Sequence, residues 1–346
     1  MRALTYQGPR QVEWADRPVP RPGAGQVLVE VTACGVCHTD VSFREDPEAV
    51  LQLGLTMGHE IAGTISASGE GVTSVHAGQA VVVHTVWSCG TCRECTAGRE
   101  NACLSTPGRL VPPQGPGTRY DGGMADFVVV PATAVVAADG IEPHLAAVLP
   151  DAGIVPYHSI RGCLPLLGPG SGAAVIGIGG LGQFAVSILR AMTPARIIAI
   201  DVRPEALAAV ADAVDAVVDG SSEDAAAQVL DSAGGHGPDV VLDFVGTSET
   251  LRLAASTVAP YGAIRVPGQG NGVMEFETIR TTTSIPRGTT INRPYSGTRR
   301  DLIEVVALAR AGRVGIDITT YPFERALDAY DDLAAGRITG RAVVVR

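Results

Sequence analysis

The chain has 346 residues, 46% apolar and 18% charged, with a formal net charge of −10. That length gives two domains as the natural expectation, and an acidic balance with scattered arginines argues against a nucleic-acid or membrane-surface role. With aromatics at 4% against 42 Gly and 23 Pro, the core must be Ala, Val, Leu and Ile, punctuated by tight turns; every basic residue is Arg, from which no function follows.

The opening stretch MRALTYQGPRQVEW has no apolar run, so no signal peptide is predicted. Nor does any segment approach the roughly 18 uninterrupted apolar residues of a membrane span. The expectation is a soluble, cytoplasmic chain, where clustered cysteines serve as metal ligands more often than as disulfides. Up to about residue 150, β-branched runs bounded by turn residues predict a β-rich domain: 26–35, 60–69, 79–87 and 127–136.

Near residue 151 the pattern changes. AAVIGIG (173–179) is a short apolar run entering a glycine turn, and LGQFAVSILRAM (181–192) has helical spacing. Strand-like and helix-like segments then alternate: 195–201, 205–214, 215–220, 223–233, 239–246, 249–258 and 262–268. Alternation with short loops predicts a parallel sheet with right-handed crossovers. A helix (299–312) and a last strand, RAVVVR, return to the first domain, giving a division into 1–151 with 296–346, and 152–295.

The stretch WSCGTCRECTAGRENAC holds Cys89, Cys92, Cys95 and Cys103. The iron–sulfur run that begins C-x2-C-x2-C places its fourth Cys after three residues with Pro following, whereas here the gap is seven and Leu104 follows. Four thiolates with no open position describe a structural zinc site, which is not catalytic.

Gly177, Gly179 and Gly182, with Gly180 and Leu181 between them, fit G-x-G-x-x-G. Alone the pattern is weak, but here it follows a predicted strand and opens a helix, the context a dinucleotide site requires. The first glycine makes the turn, the second admits the pyrophosphate to the backbone and the third packs helix on strand. Asp201 ends the next strand, 19 residues after Gly182. A carboxylate there accepts from ribose hydroxyls and favours NAD over NADP; Arg203 is the counter-argument, since an arginine can pair with a 2′-phosphate. Val245 and Gly268, at the ends of later strands, complete the expected cofactor contacts.

A second constellation is dispersed. CGVCHTD (34–40) follows a strand, GHE (58–60) comes next, and Asp151 sits at the domain junction. Thiolate, imidazole and carboxylate together make a three-ligand zinc site with one open position. Spacing alone does not select Cys37, His59 and Asp151 from seven His and many acids. Cys34 and Cys163 read as buried apolar residues.

Over essentially its full length the chain resembles the zinc-dependent medium-chain alcohol dehydrogenase family, most closely bacterial NAD-dependent secondary alcohol dehydrogenases. GHEIAGTISASGEGV carries the family's Gly58, His59, Glu60, Gly63, Gly69 and Val72, and the four-cysteine lobe and glycine turn match as well. The resemblance implies an α/β chain with a GroES-like catalytic domain and a doubly wound Rossmann domain. It implies two zinc ions per chain, one catalytic on Cys37, His59 and Asp151 and one structural, with NAD as cofactor and a small alcohol or carbonyl substrate. Homodimers or homotetramers are also implied. By the same resemblance Thr39 hydrogen-bonds the substrate oxygen, and Asp40 orients the zinc-bound His59. Glu60 lies beside the zinc, His38 meets the cofactor phosphates or relays protons, and Arg341 lies near the pyrophosphate. Ser42 and Ser296 stand where related bacterial enzymes often carry bulky aromatics, which widens the substrate site; Leu53 and Tyr295 are the remaining pocket walls. Competing readings are a zinc-free quinone or enoyl reductase, against which the Cys–His pair speaks, and a non-catalytic zinc- and nucleotide-binding protein.

Overall fold

The computed structural model describes residues 1–46, 51–277 and 284–346. The chain divides into two compact units, one of residues 1–154, 296–311 and 317–346, the other of 155–295 and 312–316.

The first unit opens with an antiparallel hairpin, β1 (Arg2–Gly8) and β2 (Gln11–Asp16). Its main sheet is built on the long strand β3 (Gln26–Val36), followed by helix α1 (His38–Glu45), β4 (Glu60–Ser68) and β5 (Ala80–Val83). A short helix α2 (Arg93–Thr96) lies in the cysteine lobe. The apolar run expected as one strand over 127–136 is two: β6 (Phe127–Pro131) pairs with β3, and β7 (Val135–Ala137) pairs with β5. Pro131, which has no N–H for a ladder, ends the first, and a tight turn over 132–134 carries the chain to a different partner. Helix α3 (Pro143–Val148) is followed by a π-helical turn, Leu149–Gly153, and by α4 (Ile154–Arg161).

The second unit alternates strand and helix as the apolar periodicity predicts: β8 (Gly172–Ile176), α5 (Gly180–Met192), β9 (Arg196–Asp201), α6 (Pro204–Ala208), β10 (Ala216–Asp219), α7 (Ala225–Ser232), β11 (Val240–Asp243), α8 (Ser248–Thr257), β12 (Ala263–Arg265) and β13 (Thr290–Asn292). All neighbours are parallel, in the order β10-β9-β8-β11-β12-β13. Counted from β8 that is 3-2-1-4-5-6, the doubly wound order that puts a ligand crevice at the carboxyl ends of the strands where the order reverses. β8 and β11 are wholly buried, as strands covered on both faces must be.

The chain re-enters the first unit through α9 (Arg299–Arg310), β14 (Ile318–Pro322), α10 (Ala326–Ala334) and β15 (Arg341–Val345). β15 lies antiparallel to β3, so that sheet runs β14-β15-β3-β4-β5-β7 with β6 branching from β3. Its core gathers Leu4, Val29, Ile61, Ile65, Val81 and Val344. Among the described residues no helix is long and apolar enough to cross a membrane.

Candidate metal centres and cofactor site

Cys37 ends β3 and precedes α1, and His59 precedes β4, the strand paired with β3. Two glycines let these residues converge. Gly58 has φ +89°, and a Cβ on it would stand 2.7 Å from Cys34 Sγ. Gly35 faces Glu60 across the ladder, and a Cβ there would stand 1.9 Å from Glu60 Oε2, so only glycine leaves room for that buried carboxylate. Asp151 comes from the π-helical turn, and π-turns inside helices are frequent at functional sites. Pro150 brings no N–H to that turn, and its carbonyl accepts from Thr85 Oγ1 at 3.3 Å.

One potential ligand atom each from Cys37, His59, Glu60 and Asp151 lies within 4.8 Å of the others. His59 Nε2 is 3.8 Å from Asp151 Oδ2, while its Nδ1 is 3.0 Å from Asp40 Oδ1. Asp40 Oδ2 accepts the Cys37 N–H at 3.0 Å, so one carboxylate caps α1 and orients the imidazole. Thr39 Oγ1 lies 3.6 Å from Cys37 Sγ. His38, also expected in the site, occupies the exposed first position of α1.

Arg341, expected near the pyrophosphate, donates from its buried guanidinium to Asp151 Oδ2 at 2.7 Å and pairs with Glu60, which β4 places next to the centre. Strand β15 beside β3 is what brings it there.

The electrostatics describe a site made for a cation. Burial works against a charged His59, but Asp40 and Asp151 outweigh it and hold its pKa well above the ordinary value. Burial would also raise Asp151, yet His59 and Arg341 bring it below the usual carboxylate range. Glu60 is pushed up to about 8 by burial, with Arg341 opposing. Sulfur, nitrogen and carboxylate oxygen are the donor set of an open zinc site.

The four-cysteine lobe fits zinc by geometry. Four of its Sγ–Sγ separations are 3.5, 3.6, 3.9 and 4.0 Å. A tetrahedron with Zn–S bonds of ~2.3 Å has edges of about 3.8 Å. The N–H groups of Cys89, Cys92, Leu104 and Ser105 each donate to a cysteine sulfur at 3.4 Å, which favours thiolates. Hydrogen bonds from Thr91 and Cys92 lower Cys89 to about 6.

The glycine turn fits a dinucleotide. Gly177 has φ +86°, and a Cβ on it would be 2.6 Å from Val245 Cγ2; one on Gly182 would be 1.9 Å from the Gly177 carbonyl, so the loop closes only on glycine. A Cβ on Gly179 would meet nothing within 4 Å. Protein packing therefore leaves open the very position where a pyrophosphate needs access. Gly180 and Leu181 begin the 13-residue α5, whose first N–H groups point out of the turn. A cavity of about 1050 Å³ lies alongside, lined by Gly177, Asp201 and Val245. Gly268 packs flat on residue 245, where a Cβ would be 2.4 Å from the Val245 carbonyl carbon. Arg203 lies with its Nε 3.5 Å from Asp201 Oδ1.

Of the residues read as pocket walls, Ser42 on α1 and Leu53 are exposed in the first unit. Ser296, at φ +46°, has its hydroxyl 3.2 Å from Thr85 Oγ1; Tyr295 belongs to the second unit. Cys34 and Cys163 are buried, as expected of apolar residues. Sequence reasoning missed Thr85, which no motif marks. It also missed the cavity wall formed by Thr247 and its neighbours, for which the capping pattern Thr247–Thr250 was the available signal.

A profile described as the alcohol dehydrogenase GroES-like domain matches residues 23–140, and one described as zinc-binding dehydrogenase matches residues 212–344. An NAD-dependent alcohol dehydrogenase of Sulfurisphaera tokodaii is 32% identical over 359 aligned positions, covering 100% of this chain and 99% of that one. The chain belongs to the zinc-dependent medium-chain alcohol dehydrogenase family. The crystal structure of the alcohol dehydrogenase of Aeropyrum pernix superposes with a TM-score of 0.89 at 31% identity, covering 100% of both chains. Acetophenone reductase of Geotrichum candidum, solved in complex with NAD, superposes with a TM-score of 0.86 at 27% identity, covering 100% of this chain and 97% of that one. The first unit is thus the family's GroES-like fold, and the parallel sheet of the second is its Rossmann fold.

Proposed function

We propose that the protein is a zinc- and NAD(H)-dependent alcohol dehydrogenase that reversibly oxidises secondary or bulky alcohols to ketones or aldehydes. The observation that carries this reading is the convergence of Cys37, His59 and Asp151, with Glu60 engaged by Arg341 and the Thr39 hydroxyl near the Cys37 sulfur; three such donors would leave zinc one position for substrate. The relatives named NAD-dependent alcohol dehydrogenase support it, as does the glycine turn.

When bound, zinc would supply Lewis-acid polarisation of the alcohol or carbonyl oxygen, and NAD would supply the hydride acceptor. Cys37, His59 and Asp151 are the residues that would hold the metal. Asp40 fixes the His59 ring so that Nε2 is presented to the centre. Thr39 Oγ1 takes the proton that leaves the substrate hydroxyl and passes it outward, with His38 as the next relay at the surface. Arg341 pairs with Glu60 and Asp151 and offsets negative charge in the buried centre. In the second unit, the α5 N-terminus receives the pyrophosphate, and Asp201 stands at the adenosine ribose.

Residues 1–151 with 296–346 form the catalytic domain in this reading, and 152–295 the cofactor domain. The small side chains of Ser42 and Ser296, both in the first unit, favour a bulky substrate. A cytoplasmic homodimer or homotetramer completes the proposal, on family resemblance. The test is a panel of primary, secondary and aromatic alcohols and ketones with NAD and NADP, followed at the nicotinamide absorbance band. Turnover of secondary or aromatic substrates with NAD is expected; full activity after metal removal would refute the reading.

A further inference from the structure

The π-helical turn that carries Asp151 leaves a bonding problem in the backbone. In an α-helix the Ile154 N–H would donate to the Pro150 carbonyl; here it donates to the carbonyls of Leu149 and Asp151. The Pro150 carbonyl is passed over, and Pro150 is buried. A buried carbonyl that loses its donor costs free energy, so a donor from outside the helix stabilises the turn.

Thr85 supplies one. It follows β5 by two residues, and its Oγ1 donates to the Pro150 carbonyl at 3.3 Å. A hydroxyl has one proton to give, so the Ser296 hydroxyl, 3.2 Å away, donates to Thr85 in turn. The chain Ser296, Thr85, Pro150 lies wholly within the first unit. The segments that form it are held in place. A Cβ on Gly115 would stand 2.0 Å from the Thr85 carbonyl oxygen, so backbone packs on backbone there. One residue along each segment, the His84 ring meets the Gly297 carbonyl at 3.1 Å. Ser296 itself keeps φ at +46°, a costly value for a residue with a Cβ, where its hydroxyl reaches Thr85.

We infer that Thr85 is a positioning residue for the metal centre, acting through Pro150 to fix the register of the turn that presents Asp151. The inference rests on the reading of Cys37, His59 and Asp151 as zinc ligands. Side-chain direction turns by about 100° per residue along a helix of 3.6 residues per turn. A turn that slipped by one residue would therefore aim the Asp151 carboxylate away from His59. Arg341 steadies the carboxylate end, 2.7 Å from Oδ2, and Thr85 steadies the backbone one peptide before it.

The test is zinc affinity at the mixed centre, measured on the full chain by competition with a chromophoric chelator. It compares the wild type with Thr85→Val, which keeps the shape and removes the donor, and Thr85→Ser, which keeps the donor. Thr85→Val should weaken zinc at the mixed centre by about 10–100-fold, the usual cost of losing a group that orients a ligand. The zinc of the four-cysteine lobe should be unaffected, and Thr85→Ser should bind as tightly as the wild type. The d–d absorption of cobalt(II) placed in the mixed centre should change in Thr85→Val and not in Thr85→Ser, a signature that lost stability alone would not produce. Thr85→Ala, which also lacks the donor, takes the place of Thr85→Val if that variant does not fold. Unaltered zinc affinity and cobalt spectrum in a folded variant without the hydroxyl overturn the inference, even where the Tm is lowered. So does a loss of zinc in Thr85→Ser equal to that in Thr85→Val. A wild type that takes up zinc only in the four-cysteine lobe would refute the metal reading itself, an outcome distinct from tight zinc binding that Thr85→Val leaves untouched.

Discussion

The two clusters of metal-binding residues in the first unit are opposites in construction. The four-thiolate lobe is local: all its donors fall between Cys89 and Cys103, three of them are at least partly exposed, and its own backbone N–H groups support the sulfurs. The mixed centre is assembled from a strand end, a turn and a π-helical turn, with β15 supplying Arg341; its Cys, His and Glu are buried, and neighbouring carboxylates tune it. A closed local shell stabilises a loop, whereas an open shell held by distant elements places an empty coordination position inside a folded scaffold. The first can be lost with modest damage elsewhere; the second cannot be altered without altering chemistry.

The sharpest way to break this comparison is to remove one thiolate from each cluster. Cys37→Ser should cut kcat/KM by about a thousandfold or more, because Lewis-acid assistance is worth several kcal/mol and each ~1.4 kcal/mol is a factor of ten. Its Tm by circular dichroism should stay within about 5 °C of wild type. Cys92→Ser should show the reverse: activity per folded molecule largely kept, and Tm lowered by about 2–4 °C for each kcal/mol of lost metal binding. Metal analysis should find one zinc in each variant. If Cys92→Ser removes turnover while the mixed centre keeps its metal, the division between structural and chemical sites fails.

Legibility in the sequence follows the same division. The lobe is visible because its spacing is itself the signal. The parallel sheet is visible because apolar runs alternate with helical spacing, and the observed strand order follows from short right-handed crossovers. The mixed centre is not legible from spacing, since nothing between residues 59 and 151 records that a π-turn will bring Asp151 to His59; resemblance named those ligands. The Arg341 contacts were not legible either: the register of β15 on β3 puts its guanidinium on Glu60 and Asp151, and no local pattern in the sequence records that pairing. The split of 127–136 into β6 and β7 was hidden for a related reason: a β-branched run does not say which partner each half will choose.

A smaller effect separates charge from hydrogen bonding at the mixed centre. Asp40 serves two donors at once, the Cys37 N–H and the His59 ring. Asp40→Asn keeps one carbonyl oxygen as acceptor, removes the charge and forces a choice between the two. Zinc affinity at the mixed centre should fall about 10–100-fold, the usual cost of losing such an orienting partner. The lobe should keep its metal unchanged. Competition with a chromophoric chelator reads the two sites as separate steps, and an unaltered first step would show that Asp40 only caps α1.

The smallest effect concerns a histidine that binds no metal. His84 is buried like His59, but its ring nitrogens face the carbonyls of Val86 at 2.8 Å and Gly297 at 3.1 Å, where His59 faces the carboxylates of Asp40 and Asp151. Burial therefore prevails and its pKa is lowered, the two carbonyls and Glu100 opposing it and Arg299 assisting. At His59 the same burial is overcome by Asp40 and Asp151 and the shift runs upward. Below the ordinary imidazole value of about 6.5, the unfolded chain binds a proton that native His84 refuses. Stability linked to His84 is thus complete above that value and falls as the pH drops toward the depressed folded value. The slope is at most ~1.4 kcal/mol per pH unit for one proton. His84→Gln keeps a side-chain donor but removes the titration, so its Tm should fall less steeply than that of the wild type between about pH 6.5 and 5. Parallel curves would mean that His84 is protonated in the fold, bridging both carbonyls as an imidazolium, and that partial charges alone can do for a buried imidazole what two carboxylates do for His59.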